Sequence, residues 1–87
     1  MKLKDKLRSL LKDLPRTCFF TPANSKHDLI GGLKGQLTYF LILENDRNIS
    51  HNDILFGEKI RRCGGQHFTI RSTEDFCELA KVRGWYD

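Results

Sequence analysis

Residues 28–46 read DLIGGLKGQLTYFLILEND, and this stretch predicts a β-hairpin at the centre of the fold. Glycines near Leu33–Gln36 separate a short apolar run from a longer one, as a hairpin turn requires. The second run, Leu37–Leu43, is apolar on both faces apart from Thr38. Such a pattern is typical of a central strand that is covered on both sides. The strand ends at Glu44, where the sequence changes abruptly to acidic residues.

An amphipathic helix is predicted before this hairpin. Its leucines lie at residues 3, 7, 10, 11 and 14, a spacing that forms one stripe on a helix, and Pro15 ends the pattern. The stretch Thr17–Phe20 is β-branched and aromatic, which predicts a first short strand.

After the hairpin, Ser50 and an acidic residue three positions later predict the start of a second helix. Gly64-Gly65 ends that helix, Gln66–Arg71 alternates as a strand does, and Ser72 opens a third helix that stops at Gly84. The predicted order is therefore α-β-β-β-α-β-α in one domain over residues 1–87. A helix between the last two strands implies a crossover, so we expect an α/β sandwich with a small mixed sheet.

Charge and composition limit the partners that this chain can have. Its 87 residues carry a net charge of +4, and residues 1–16 alone hold six basic and two acidic side chains. This basic excess is compatible with binding to a polyanion such as DNA, and it disfavours a protein that mimics DNA. A basic surface that serves only solubility would give the same charge. No apolar run reaches about 18 residues, the length that a membrane-spanning helix needs.

Three widely spaced cysteines argue against a disulfide framework and indicate a cytoplasmic protein. Cys63 and His67 have a spacing that zinc sites use, but the sequence lacks a standard four-ligand set, so buried thiols and surface imidazoles are the favoured interpretation.

Three carboxylates are candidates for a divalent-metal site. Asp28 opens one strand of the hairpin, while Glu44 and Asp46 follow the end of the other. The start of one hairpin strand faces the end of its partner, so these side chains could converge on Mg²⁺ or Mn²⁺. A metal there could activate water and stabilise a phosphoryl transition state. The alternative is that Glu44 and its neighbours form a polar loop after a buried strand.

The order of these motifs resembles the PD-(D/E)XK nuclease superfamily, and more narrowly the small stand-alone VRR-NUC proteins of phages and bacteria. The resemblance covers nearly the whole chain. It rests on the basic helix, Asp28, the glycine turn, Glu44 and Ser50, followed by Gly64-Gly65 and the junction at residues 71–75. It implies a restriction-endonuclease-like fold, a metal-dependent DNA endonuclease of the Holliday-junction type and a homodimer.

The sequence departs from the family pattern at the catalytic motif. The family has Lys two residues after the Glu, and this chain has Asp46 there; the family has Pro where this chain has His27. Loss of a group that stabilises the transition state typically lowers the rate on the order of 10²–10³-fold. We therefore expect an impaired site, unless Lys26 or Lys59 substitutes for the missing lysine.

Three functions follow as hypotheses. The first is a degenerate nuclease retained for binding branched or single-stranded DNA. The DNA-binding residues would be the basic side chains Lys4, Arg8, Lys12, Arg16, Lys59, Arg61 and Arg62. The second is an active Mg²⁺- or Mn²⁺-dependent endonuclease that uses Asp28, Glu44, Asp46 and Lys26. The third is a phage inhibitor of host defence, similar to an anti-CRISPR protein, that binds a protein target. In a homodimer, Trp85 and Tyr86 could anchor the interface, or they could cover the core of their own chain.

Overall fold

The computed structural model describes residues 2–18, 20–23, 27–44 and 48–86. Within them the structure has three helices and a three-stranded mixed sheet. The elements are α1 (Leu3–Lys12), β1 (Asp28–Leu33), β2 (Gln36–Ile42), α2 (His51–Arg62), β3 (Gln66–Ile70) and α3 (Thr73–Arg83). The α/β class and the mixed sheet confirm the prediction, and these six elements follow the predicted order, in which a further short strand was expected after α1.

The sheet has the order β1-β2-β3, with β1 antiparallel and β3 parallel to the central strand β2. The turn of the hairpin contains Lys34 and Gly35, both at positive φ (53° and 80°), which suits the tight turn between twisted strands. In the resulting register Asp28 pairs with Leu41, three residues before Glu44. Asp28 and Glu44 therefore lie at the same end of the hairpin.

The predicted first strand differs from the structure. Among the described residues of this stretch, Thr17 and Thr21 form isolated bridges to Leu33 and Ile30. Phe19 lies outside the described residues. Cys18 also donates its N–H to the Gly32 carbonyl at 2.9 Å. The described residues of this stretch run along the side of β1 that faces away from β2, and they form isolated bridges instead of a strand.

Alternate residues of β2 point to two different cores. Phe40 and Ile42 face one side, where they pack with the leucines of α1 and with residues of α3. Tyr39 and Leu41 face the other side, where they pack with Ile60 of α2. The strand is thus covered on both faces, as its continuous apolar sequence predicts. Within the described part of the chain, no helix has the length and apolarity that crossing a bilayer requires.

Local sequence signals explain where the helices begin and end. The leucine stripe is confirmed, because Leu3, Leu7 and Leu11 are all buried in the first core. Ser50 caps α2 through a reciprocal pair of bonds with Asp53. At the end of α3, Gly84 adopts the left-handed conformation (φ 69°), which a glycine reaches without a steric penalty.

Candidate functional site

Asp28 is a fully buried carboxylate with structural partners. Its Oδ2 accepts a hydrogen bond from the Tyr39 hydroxyl at 2.8 Å, and its Oδ1 accepts one from the Ala23 N–H at 2.9 Å. A buried carboxylate needs such donors, because the loss of water around the charge is otherwise very costly. Asp28 thereby ties the loop before β1 to the central strand.

Glu44 holds the beginning of α1. The Leu3 N–H donates to Oε1 at 2.8 Å and to Oε2 at 3.3 Å. Lys2 stands at the N-cap position and makes no side-chain capping bond there. The Glu44 carboxylate therefore replaces a local cap and also suits the positive end of the helix dipole. Lysine is a poor N-cap residue, and this was the local sign in the sequence that the first N–H groups of α1 need another partner.

Each of these two carboxylates has a structural partner of its own, and their convergence on a metal ion stays a prediction. Asp28 accepts from Tyr39, whose ring packs against α2, and Glu44 accepts from the first turn of α1. Lys4 in that turn interacts with Asp28, so α1 begins near both carboxylates. The β2 residue paired with Asp28 is Leu41, which is also buried.

Across residues 2–18, 20–23, 27–44 and 48–86, no three His, Cys, Asp or Glu side chains are grouped so that they could hold a metal ion. Asp46 and Lys26 lie outside the described residues. The metal-binding and catalytic roles of Asp28, Glu44, Asp46 and Lys26 stay predictions. Cys63, which is exposed, and His67 likewise belong to no such group within the described chain.

Lys4 interacts with Asp28 electrostatically. Burial of its side chain lowers the pKa of Lys4, while the negative charge of Asp28 acts in the opposite direction and favours the ammonium form. Lys4 follows Leu3 directly, so it stands next to the backbone group that Glu44 binds. Sequence reasoning placed Lys4 only among the DNA-binding residues. Lys59, which was expected with Lys26 as a possible replacement for the missing catalytic lysine, is exposed on α2.

A cavity of about 260 Å³ lies between α1 and the stretch that follows it. Two cations one helical turn apart, Arg8 and Lys12, line it together with apolar side chains. Its full lining is Arg8, Leu11, Lys12, Thr17, Cys18 and Phe20. The Thr17 hydroxyl is shared between the carbonyls of Leu11 (3.1 Å) and Leu14 (3.2 Å), which fixes this stretch against the end of the helix. The cavity is thus cationic and partly apolar.

The predicted DNA-binding residues fall into two groups on opposite sides of the sheet. Lys4, Arg8 and Lys12 belong to α1, and Arg16 follows it as an exposed residue with φ of 59°. Lys59, Arg61 and Arg62 lie in the last turn of α2, which packs on the opposite face. The structure therefore brings the first group together and separates it from the second.

The two terminal aromatic residues have different environments. Trp85 is 4% exposed and packs edge-on against Phe40 and Phe68, with ring centroids 5.8 and 5.4 Å apart. It covers the core of its own chain and is not accessible as an interface anchor. Tyr86 is 51% exposed, and its interface role stays a prediction.

His67 is a further functional candidate. The sequence indicated only a zinc-binding role for it, together with Cys63. Its Nε2 is buried and, among the described residues, has no hydrogen-bond partner. Its ring packs so closely on α2 that a Cβ at Gly57 would lie 2.5 Å from Nδ1. Burial, and secondarily the positive charge of Arg61, lower the pKa of His67.

No model of a known protein family matches this chain, and neither the curated proteins nor the solved structures contain a match.

Proposed function

We propose that this protein is a cytoplasmic nucleic-acid-binding domain of the VRR-NUC nuclease type with an impaired catalytic centre. One observation carries the proposal: the cavity beside α1 presents Arg8 and Lys12 next to apolar surface from Leu11 and Phe20. Both cations belong to residues 1–16, the segment that carries the basic excess of the sequence. Lysine and arginine bind phosphates, and their contacts dominate affinity for nucleic acids.

The combination of cations and apolar side chains in the cavity favours single-stranded or branched DNA as the ligand. A nucleotide free of base pairing can place its base or sugar against apolar side chains while its phosphate meets the cations. A continuous duplex keeps its bases stacked inside and would meet only the charges. We therefore expect tighter binding to single-stranded and junction DNA than to a linear duplex of equal length.

Impaired catalysis follows from how the two acidic residues are used. Asp28 is buried and bonded to Tyr39, and Glu44 caps α1, so both carboxylates already have structural partners. The sequence also has Asp46 where the nuclease family has its lysine. Both observations support binding without efficient phosphodiester hydrolysis.

Fluorescence anisotropy with labelled single-stranded DNA at several salt concentrations tests the proposal. The paired variant Arg8→Gln and Lys12→Gln should weaken binding and lower the salt dependence, by a slope of about 0.7 for each lost phosphate contact. A matched control, Arg61→Gln with Arg62→Gln, removes the same charge from the opposite face and should change the slope less. Equal losses in both pairs would refute the cavity as the site. No binding at low salt would refute nucleic-acid binding and favour a protein target, as in the inhibitor hypothesis.

Alkylation of cysteines locates the bound ligand directly. Cys18 lines the cavity and is exposed, whereas Cys63 is exposed at the end of α2. Saturating DNA should protect Cys18 from a maleimide reagent, while Cys63 reacts at its original rate. Mass spectrometry of the digested protein measures both sites in one sample. Unchanged alkylation of Cys18 at saturation would place the ligand elsewhere.

A second candidate function is the active metal-dependent endonuclease, and the position of Lys4 favours it. This ammonium group interacts with Asp28 and follows the residue that Glu44 binds, so it could supply the positive charge that Asp46 does not. Incubation of junction and linear DNA with Mg²⁺ or Mn²⁺ should then give cleavage that Glu44→Ala and Lys4→Gln each abolish. Circular dichroism would verify that these variants fold, and activity that persists in a chelator would exclude this mechanism.

A further inference from the structure

A second pocket, of about 150 Å³, lies on the side of the sheet that α2 covers. Its lining comes from one face of α2, from Ile49 before that helix and from His67 of β3. The helical residues are Ile54, Glu58 and Arg61, whose spacing of four and three positions places them on the same face. This pocket is therefore separate from the cavity beside α1, which lies against the other core.

Three polar side chains meet at this pocket. The Glu58 carboxylate can only accept hydrogen bonds, and the Arg61 guanidinium can only donate them. Both side chains are exposed, and within the described chain neither has a hydrogen bond or an ion pair. The buried Nε2 of His67 also has no hydrogen-bond partner among the described residues, a state that is uncommon in folded proteins and requires an explanation. An unpaired acceptor and an unpaired donor are therefore available to a ligand.

The size of the pocket limits that ligand to a small ring. A cavity of about 150 Å³ holds one benzene-sized molecule. Ile49 and Ile54, which are 40% and 46% exposed, supply apolar surface for the faces of such a ring. The His67 ring adds a wall that packing holds in place, between Gly57 of α2 and the Tyr39 ring at 5.3 Å. The pocket thus suits a six-membered ring better than the two fused rings of a purine.

The polar groups select one kind of six-membered ring. Cytosine has an exocyclic amine, N4, beside two acceptors, N3 and O2, and glutamate is a suitable acceptor for N4. Uracil and thymine have a carbonyl oxygen at the place of this amine, and that oxygen would face the carboxylate. We infer that this pocket binds a cytosine base, with Glu58 accepting from N4 and Arg61 donating to N3 and O2. The base belongs to a free nucleotide or to an unpaired nucleotide of a strand.

The charge state of His67 is compatible with this assignment. Burial, and secondarily the positive charge of Arg61, lower the pKa of His67, so its ring is neutral at neutral pH. A neutral ring gives apolar contact and adds no second cation beside Arg61. The carboxylate and the guanidinium are then the two groups that distinguish one base from another.

An NMR titration of the ¹⁵N-labelled protein with cytidine 5′-monophosphate tests the inference, and uridine 5′-monophosphate is the matched ligand. The two nucleotides carry the same phosphate and differ at position 4 of the ring and at the adjacent N3. The cytidine nucleotide should give saturable shifts at Ile54, Arg61 and His67. Its dissociation constant should be lower by about fivefold or more, because well-placed base contacts discriminate by at least this factor. Absence of saturable shifts, or equal binding of both nucleotides, would overturn the cytosine site.

Glu58→Gln identifies the group that reads the base. An amide can donate as well as accept, so the preference for cytidine over uridine should fall towards equality. Glu58 is exposed, so the fold should persist, which circular dichroism verifies. Glu74→Gln removes the same charge from an exposed position on α3 and should keep the full preference. A preference that survives Glu58→Gln would overturn the assigned contact.

Single-stranded oligonucleotides distinguish the two sources of the base. Shifts at Ile54 and Arg61 with the mononucleotide assign a free nucleotide as sufficient. The same shifts with oligodeoxycytidine alone, and not with oligodeoxythymidine, assign an unpaired base of a strand, and shifts with neither cytidine probe overturn the site. Arg61 would contact the base and not a phosphate, so its loss should leave the salt dependence of DNA binding unchanged. Failure at this pocket therefore leaves the cavity beside α1 as a separate question.

Discussion

Tyr39→Phe is the substitution that best tests the structural role of Asp28. It removes only the hydroxyl group, while the ring keeps its packing against Phe56 and His67, at centroid distances of 4.8 and 5.3 Å. The lost bond joins a hydroxyl to a carboxylate that is 0% exposed, so bulk water cannot replace the donor without entering the core. Hydrogen bonds to charged groups contribute about 1.5–3 kcal/mol. We therefore expect the free energy of unfolding to fall by about 2 kcal/mol.

A loss of this size is large for a chain of 87 residues. It corresponds to a decrease of about 8–16 °C in Tm, because 1 kcal/mol shifts small domains by about 4–8 °C. Urea unfolding can follow the fluorescence of Trp85, the one tryptophan of the sequence, which is buried in the first core. The same experiment gives the free energy from the midpoint and the slope.

Tyr86→Phe is the matched control, because the same hydroxyl is removed from a side chain that is 51% exposed. Its effect should stay within about 0.5 kcal/mol. A Tyr39→Phe variant that is as stable as this control would refute the structural assignment of Asp28. The carboxylate would then be available for another role, and the metal-site hypothesis would gain support.

Three further predictions concern the helices. Gly57→Ala should destabilise the fold by about 1–3 kcal/mol, because its Cβ would overlap the His67 ring. In a His67→Ala background the same change should instead stabilise the fold, because alanine is the better helix former. Thermal melts of the parent protein, the two single variants and the double variant measure both effects. The depressed pKa of His67 means that the unfolded chain binds the proton more tightly. The free energy of unfolding should thus be highest above about pH 6.5 and fall as the pH decreases below it, and His67→Gln should flatten this profile in urea titrations. Glu44→Gln should cost about 0.5–2 kcal/mol and expose the N–H groups at the start of α1 to faster hydrogen exchange, and unchanged exchange at Leu3 would contradict the capping role.

Features that depend on nearby residues could be predicted from the sequence. Leu37–Leu43 is apolar on both faces and lies in the centre of the sheet, and Ser50 with Asp53 forms the predicted capping box. The leucine stripe of α1 is buried as its spacing requires. In each case the pattern and its physical cause lie within one element, so that no knowledge of the tertiary structure is needed.

Features that depend on how elements pack could not be predicted in the same way. The contact of Asp28 with Tyr39 depends on the hairpin register, and a shift of one residue would move the Asp28 side chain to the other face of the sheet. The burial of Trp85 depends on Phe40 and Phe68, which lie far from it in sequence. Thr17–Phe20 has strand-forming residues, but the described residues there form isolated bridges to β1. The local pattern does not contain this information.

The bond between Leu3 and Glu44 joins residues that are 41 positions apart, and it couples the stability of α1 to the completion of the hairpin. Closing this long loop has a larger entropic cost than closing the short turn of the hairpin. We therefore expect α1 to dock late in folding and to detach first, which would uncover its leucine stripe while the sheet persists. A ligand that binds the docked form of α1 would slow this detachment, so the occupancy of its basic face can be measured as a change in the lifetime of the native state.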